Sequence, residues 1–181
     1  QNCQIMDGRR GIYVPDIGAG LSDVNAGATG NSQVRLKAKD ALITNTSITV
    51  QRRAFQPIGC EDWIFQNCTL NVRATDNQDV IRAQGGSAKF LDCYIGSSSN
   101  RSINCQANVP VGGGLIDLSF ERCIICGGGG GGSGTVATEH NLIDDANLSF
   151  SHCIVNSTGP REVTITFLRR ISLLQISNDF I

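Results

Sequence analysis

Apolar residues recur along this chain in a motif that fits neither a helix nor a single strand. Four segments read apolar-x-Phe-x-x-Cys-x-aliphatic: Trp63 to Leu70, Ala88 to Ile95, Leu118 to Ile125, and Leu148 to Val155. A fifth, Ala41 to Ile48, carries Ile43 for Phe and Thr46 for Cys. Successive Phe positions lie 22, 25, 30 and 30 residues apart, so the motif is an internal repeat. Phe and Cys are three apart, whereas a strand alternates its faces with period two. The chain therefore bends between them, and two short strands joined by a two-residue corner turn all four side chains into one core. The ladder residues are Phe65, Phe90, Phe120 and Phe150, with Cys68, Cys93, Cys123 and Cys153. The second corner residue is Asn45, Asn67, Asp92, Arg122 or His152. Asn, Asp and His are the non-glycine types most tolerant of a left-handed backbone, so Arg122 is the departure.

A third strand per repeat is expected at Val34-Arg35-Leu36, Val80-Ile81-Arg82, Leu115-Ile116-Asp117 and Leu142-Ile143-Asp144. Loops are expected where composition turns polar and glycine-rich, at 73–79, 96–114 and 126–141, the last with six consecutive glycines. The repeat resembles a right-handed parallel β-helix of the pectate-lyase type, in which stacked coils turn a tight, Asn-bearing corner between two strands. The resemblance covers about residues 34 to 155. It implies an all-β fold of about five to six coils: an N-terminal cap over 1–33, coils over 34–160, and a C-terminal strand over 161–181. In that strand Val163, Ile165 and Phe167 alternate, and Leu168 to Leu173 reads as a sixth corner with Ile171 in the Cys position and Leu173 after it. A rod so built has open strand edges at both ends, which invite another copy.

Composition supports β structure. Ile, Val and Thr number 19, 11 and 11, against three Lys, four Glu and one Met. A net charge of −1 gives no general attraction to nucleic acid, and no run of 18 apolar residues reads as a membrane span. The start Gln1-Asn2-Cys3-Gln4 suits a chain whose signal peptide has been removed. Five Asn-x-Ser/Thr sequons, at Asn45, Asn67, Asn100, Asn147 and Asn156, join eight cysteines and an excess of Arg over Lys in pointing to an extracellular, cell-surface or virion-surface setting.

The ladder cysteines read as buried free thiols, because stacked parallel side chains present poor disulfide geometry. Cys3, Cys60, Cys105 and Cys126 lie outside the ladder and are candidates for two disulfides in any of three connectivities, or for bonds between subunits. No cofactor or metal site is read from the sequence. The Cys123-to-Cys126 CxxC sits on an extended strand with its sulfurs on opposite sides, and His140 lies in a loop beside Glu139. The best catalytic alternative is acidic: Asp117 and Asp144 follow Leu-Ile at matching positions, with Asp145 adjacent, and two carboxylates are the minimal set for glycoside hydrolysis. The resemblance implies the same, since β-helix lyases and hydrolases set acids on adjacent coils; the lyases also recruit calcium-binding acids and a basic residue, and the Gly-His-Gly segment of the pectin-hydrolysing relatives is absent here. The leading expectation is a non-enzymatic subunit that forms a homo-oligomer or polymer by stacking or strand addition. The alternative is a carbohydrate-active protein meeting a surface glycan as lyase, hydrolase or adhesin module.

Overall fold

The computed structural model describes residues 3–6, 10–14, 38–57, 60–73, 78–97, 101–105, 116–127, 136–138, 146–157, 165–167 and 171–176. These residues are all-β, with no helix among them. The strands form three six-stranded sheets and one two-stranded pair, and every pairing is parallel.

The cysteine sheet runs, in spatial order, β1 (Cys3–Met6), β5 (Thr46–Val50), β9 (Thr69–Val72), β12 (Tyr94–Ser97), β15 (Ile124–Gly127) and β18 (Ile154–Ser157). The phenylalanine sheet runs β4 (Leu42–Thr44), β8 (Trp63–Gln66), β11 (Gly86–Leu91), β14 (Ile116–Glu121), β17 (Ala146–Ser151) and β20 (Ile171–Ile176). The third sheet runs β2 (Arg10–Val14), β6 (Arg53–Pro57), β10 (Ile81–Ala83), β13 (Ile103–Cys105), β16 (Val136–Thr138) and β19 (Ile165–Phe167). Strands β3 (Ala38–Lys39) and β7 (Cys60–Glu61) make the pair. From β4 onward the chain visits the phenylalanine, cysteine and third sheets in fixed rotation.

The corner between the first two sheets has one backbone solution used five times. Asn45, Asn67, Asp92, Arg122 and His152 all have φ between 50° and 54°. Arg122 thus adopts the same left-handed turn as the others: the closed register on both sides, Phe90 on Phe120 and Ile95 on Ile125, leaves the backbone no other route. Two further left-handed corners, Asp40 at 54° and Asp62 at 57°, precede β4 and β8. The repeat motif begins after them and so does not display them.

Side chains of equal register stack into columns. The rings of Phe65, Phe90, Phe120 and Phe150 lie parallel, with centroids 4.9, 4.9 and 5.1 Å apart. Phe55 from β6 meets Phe65 edge-on at 4.7 Å, so the third sheet closes the core against the aromatic stack. Ile48, Leu70, Ile95 and Ile125 form a second buried column from the cysteine sheet.

Several sequence-based expectations change. The third strand of the repeat is β6, β10, β13 or β16; of the segments named in advance, only Val80-Ile81-Arg82 falls there. Ile116-Asp117 instead opens β14, because its outward Asp and inward Ile continue the alternation into Leu118 and Phe120. Val34 to Leu36 and Leu142 to Asp144 lie outside the described residues. Strands β13 and β16 fall inside the stretches expected to be loops: three residues suffice to add one rung. Within 1–33, β1 and β2 are the first strands of two sheets. Ile165 and Phe167 belong to β19, whereas Val163 lies outside the described residues. Ile171 pairs with Ala146 and Ile176 with Phe150, so β20 continues the phenylalanine sheet and Ile171 is not in the Cys position.

Candidate functional site

Two side-chain arrangements carry chemistry. The first is the thiol column inside the cysteine sheet. Each ladder cysteine follows a left-handed corner, and that places its Sγ against two backbone carbonyls. Cys93 donates to Phe65 O at 3.5 Å and Leu91 O at 3.1 Å. Cys123 donates to Phe90 O and Glu121 O, both at 3.4 Å. Cys153 repeats this with Phe120 O and Ser151 O at 3.4 and 3.3 Å, and Cys68 with Ile43 O and Gln66 O at 3.4 and 3.3 Å. Thr46 performs the same task, its hydroxyl donating to Thr44 O at 2.9 Å. The position calls for a small, largely apolar side chain with one proton to give, which is why Thr replaces Cys there.

The thiols also interact along the column. The hydrogen bond from Cys93 lowers the Cys68 thiol to about 7. At the far end, the bond with Cys123 and then burial push Cys153 upward.

All eight cysteines are free thiols, so none of the three connectivities within the chain is formed. Cys60 and Cys105 are core residues, each fully buried. Burial raises the Cys105 thiol to about 12. Cys105 stands between Ala83 and Thr138 in register, and Cys60 opposite Ala38. Cys126, half-buried, is on the outer face of β15 beside Tyr94, whose ring lies over Gly96: a Cβ on that glycine would sit 2.6 Å from a ring carbon. Burial raises both groups. Cys3, exposed, stands opposite Thr46 and so heads the ladder's own column.

The second arrangement is a shallow cleft of about 250 Å³ on the outer face of the phenylalanine sheet, lined by Asp62, Trp63, Ser87, Lys89, Asp117 and Ser119 among others. Alternation along β11 and β14 turns Lys89, Asp117 and Ser119 outward while Phe90, Leu118 and Phe120 point in. The backbone N–H of Asp62 donates to Ser87 Oγ at 2.8 Å, tying the cleft floor together. Lys89 pairs with Glu121 at 3.2 Å. In register Asp117 faces Ser87 on one side and Asn147 on the other. The expected partners Asp144 and Asp145 lie outside the described residues; the residue of β17 in register with Asp117 is Asn147. Asp62 shares the face, two strands from Asp117, which is ~10 Å at Cα, and Glu121 lies further along β14 paired with Lys89.

Comparison with family models, with curated proteins and with solved structures gives no match for this chain. Function rests on these sites alone. Among the described residues no three His, Cys, Asp or Glu side chains converge on a point that holds a metal ion. No described helix is long and apolar enough to cross a membrane.

Sequence reasoning missed one buried polar cluster. Asp79, fully buried, accepts from Arg82 Nε and Nη2 at 2.7 Å and from Asn104 Nδ2 at 3.0 Å. The cluster joins β10 to β13 across the third sheet. Its signal, a charged residue before Val80-Ile81, is no different from that of a loop aspartate.

Proposed function

We propose that this chain is a right-handed parallel β-helix serving as a non-enzymatic structural subunit at an extracellular, cell or virion surface, where copies join end to end through strand addition. The observation that supports it is the edge inventory. In all three six-stranded sheets the terminal strands, β1, β2 and β4 at one end and β18, β19 and β20 at the other, have one neighbour each among the described residues. Parallel sheets with open edges at both ends accept a further strand in the same direction, so a second copy extends all three at once. Fixed rotation through the sheets and the shared left-handed corner support the helical path, and five inter-strand steps of ~4.8 Å make a rod of only about 24 Å.

Sedimentation and electron microscopy of the full chain test this reading. Ordered polymers that become monomers on deletion of residues 163–181 are the expected result. A chain that stays monomeric at high concentration, or polymers unaffected by the deletion, would overturn it.

A second reading, a glycan-binding or glycan-cleaving surface, draws on the outer cleft, where two carboxylates and an ammonium lie together. Asp62 and Asp117 replace the acid pair expected from sequence. Binding to polysaccharides in affinity electrophoresis, lost with Asp62→Asn and Asp117→Asn, supports it; unchanged mobility across neutral and acidic polysaccharides excludes it.

A further inference from the structure

We propose that the column Cys68, Cys93, Cys123, Cys153 is a binding site for soft monovalent metal ions of the copper(I) or silver(I) class, each held two-coordinate between successive sulfurs. This goes beyond the assembly reading and does not depend on it. Four thiols occupy one position, immediately before the adjacent strands β9, β12, β15 and β18, and backbone bonds lock the stack. Tyr94 N donates to Cys68 O, Ile124 N to Cys93 O and Ile154 N to Cys123 O, each at 2.9 Å. Adjacent parallel strands are ~4.8 Å apart. Two metal–thiolate bonds in line span nearly that distance, at about 2.3 Å each as for zinc. The rung spacing thus suits a linear S–metal–S unit without moving the backbone.

Donor number selects the ion. Among the described residues no third His, Cys, Asp or Glu converges on any gap, which disfavours four-coordinate zinc, while soft sulfur donors favour copper(I). The flanking groups, Leu70, Ile95 and Ile125 in the next inward column and the phenylalanine stack, are buried and apolar, and present no hard oxygen ligand from a side chain. The balance is an exchange: each bridging thiol gives its proton to solvent as the sulfur takes the metal, and nothing is oxidised or reduced. The column runs directly beneath the exposed corners Asn67, Asp92, Arg122 and His152, so an ion enters by local opening of a corner rather than of the core. Cys60 and Cys105 have no thiol neighbour in register and serve as internal controls.

The test uses the full chain carrying Cys3→Ser and Cys126→Ser, which removes the accessible thiols, titrated anaerobically with silver(I) and with copper(I) held by a bicinchoninate competitor. Uptake of two ions per chain is expected, one between Cys68 and Cys93 and one between Cys123 and Cys153, since a bent sulfur in a straight column joins only one linear unit, with release of two protons per ion and with the β-sheet circular dichroism retained. Cys153→Ala, at the end of the column, lowers uptake from two to one. Cys93→Ala with Cys123→Ala abolishes it. Absent uptake, uptake that Cys153→Ala leaves unchanged, or uptake accompanied by loss of the β-sheet signal overturns the proposal.

Discussion

Asp92 and Arg122 stand one strand apart at equivalent corners, each with φ of 53°, and Arg122 donates from Nε and Nη2 to the two carboxylate oxygens at 2.7 and 2.9 Å. The corner before them is bridged differently: Asn67 Nδ2 donates to Asn45 Oδ1 at 2.6 Å. Stacking corners brings polar side chains into contact at the rung spacing, and either an amide pair or a forked ion pair satisfies them. Arg122 also pairs with Glu121, which in turn meets Lys89.

This surface network predicts an acid transition. The Arg122 hydrogen bonds hold Asp92 below its usual value of 3.8, and Lys89 followed by Arg122 hold Glu121 below 4.5. A depressed carboxylate contributes stability above its unfolded value, and that contribution is lost as pH falls through the folded value. Urea midpoints should therefore be flat from pH 7 to 5 and drop below about pH 4, with a smaller drop in Asp92→Asn. In 0.5 M salt the difference between variant and parent should shrink, because the groups are exposed.

Truncating the aromatic stack tests the core. Phe120 has a parallel ring on each side, at 4.9 and 5.1 Å, and is 1% exposed. Phe120→Ala should cost about 4 kcal/mol by chemical denaturation. Phe120→Leu should cost clearly less, and equal losses would mean that the ring stack adds nothing beyond volume.

The buried cluster in the third sheet is a second point of weakness. Asp79→Ala removes the acceptor from both Arg82 and Asn104 and should destabilise by about 3 kcal/mol. Hydrogen exchange should locate the loss in β10 and β13; a uniform change across all sheets would contradict the local role.

Gly86 opens β11 with φ of 90°, and a Cβ there would lie 2.4 Å from the carbonyl oxygen of Cys60. Backbone cannot yield as a flexible side chain can. Gly86→Ala should cost about 2 kcal/mol or more, read from the urea midpoint.

Thiol reactivity follows burial. In native protein Cys3 and Cys126 should react with an aromatic disulfide reagent in seconds to minutes, and the six buried thiols only at the rate of opening. Peptide mass mapping of early-labelled protein checks this, and early label on Cys60 or Cys105 would count against the described core.

The sequence alone determined the repeat, the inward Phe and Cys positions and the need for a bend between them, because a three-residue interval conflicts with the period of a strand and only a corner resolves it. Asn45, Asn67, Asp92 and His152 announced that corner through their residue types. Tertiary structure decided what depends on neighbours rather than on local pattern. Arg122 takes a left-handed turn because the rungs on either side hold it there. Asp117 faces Asn147, since register is set by where β17 starts. Short strands such as β13 and β16 exist only because a preformed edge receives them, so glycine-rich flanks concealed them. The cysteines show the division most plainly: spacing identified four as a column, but only the packed chain made Cys60 and Cys105 core residues and put Cys3 at the head of that same column.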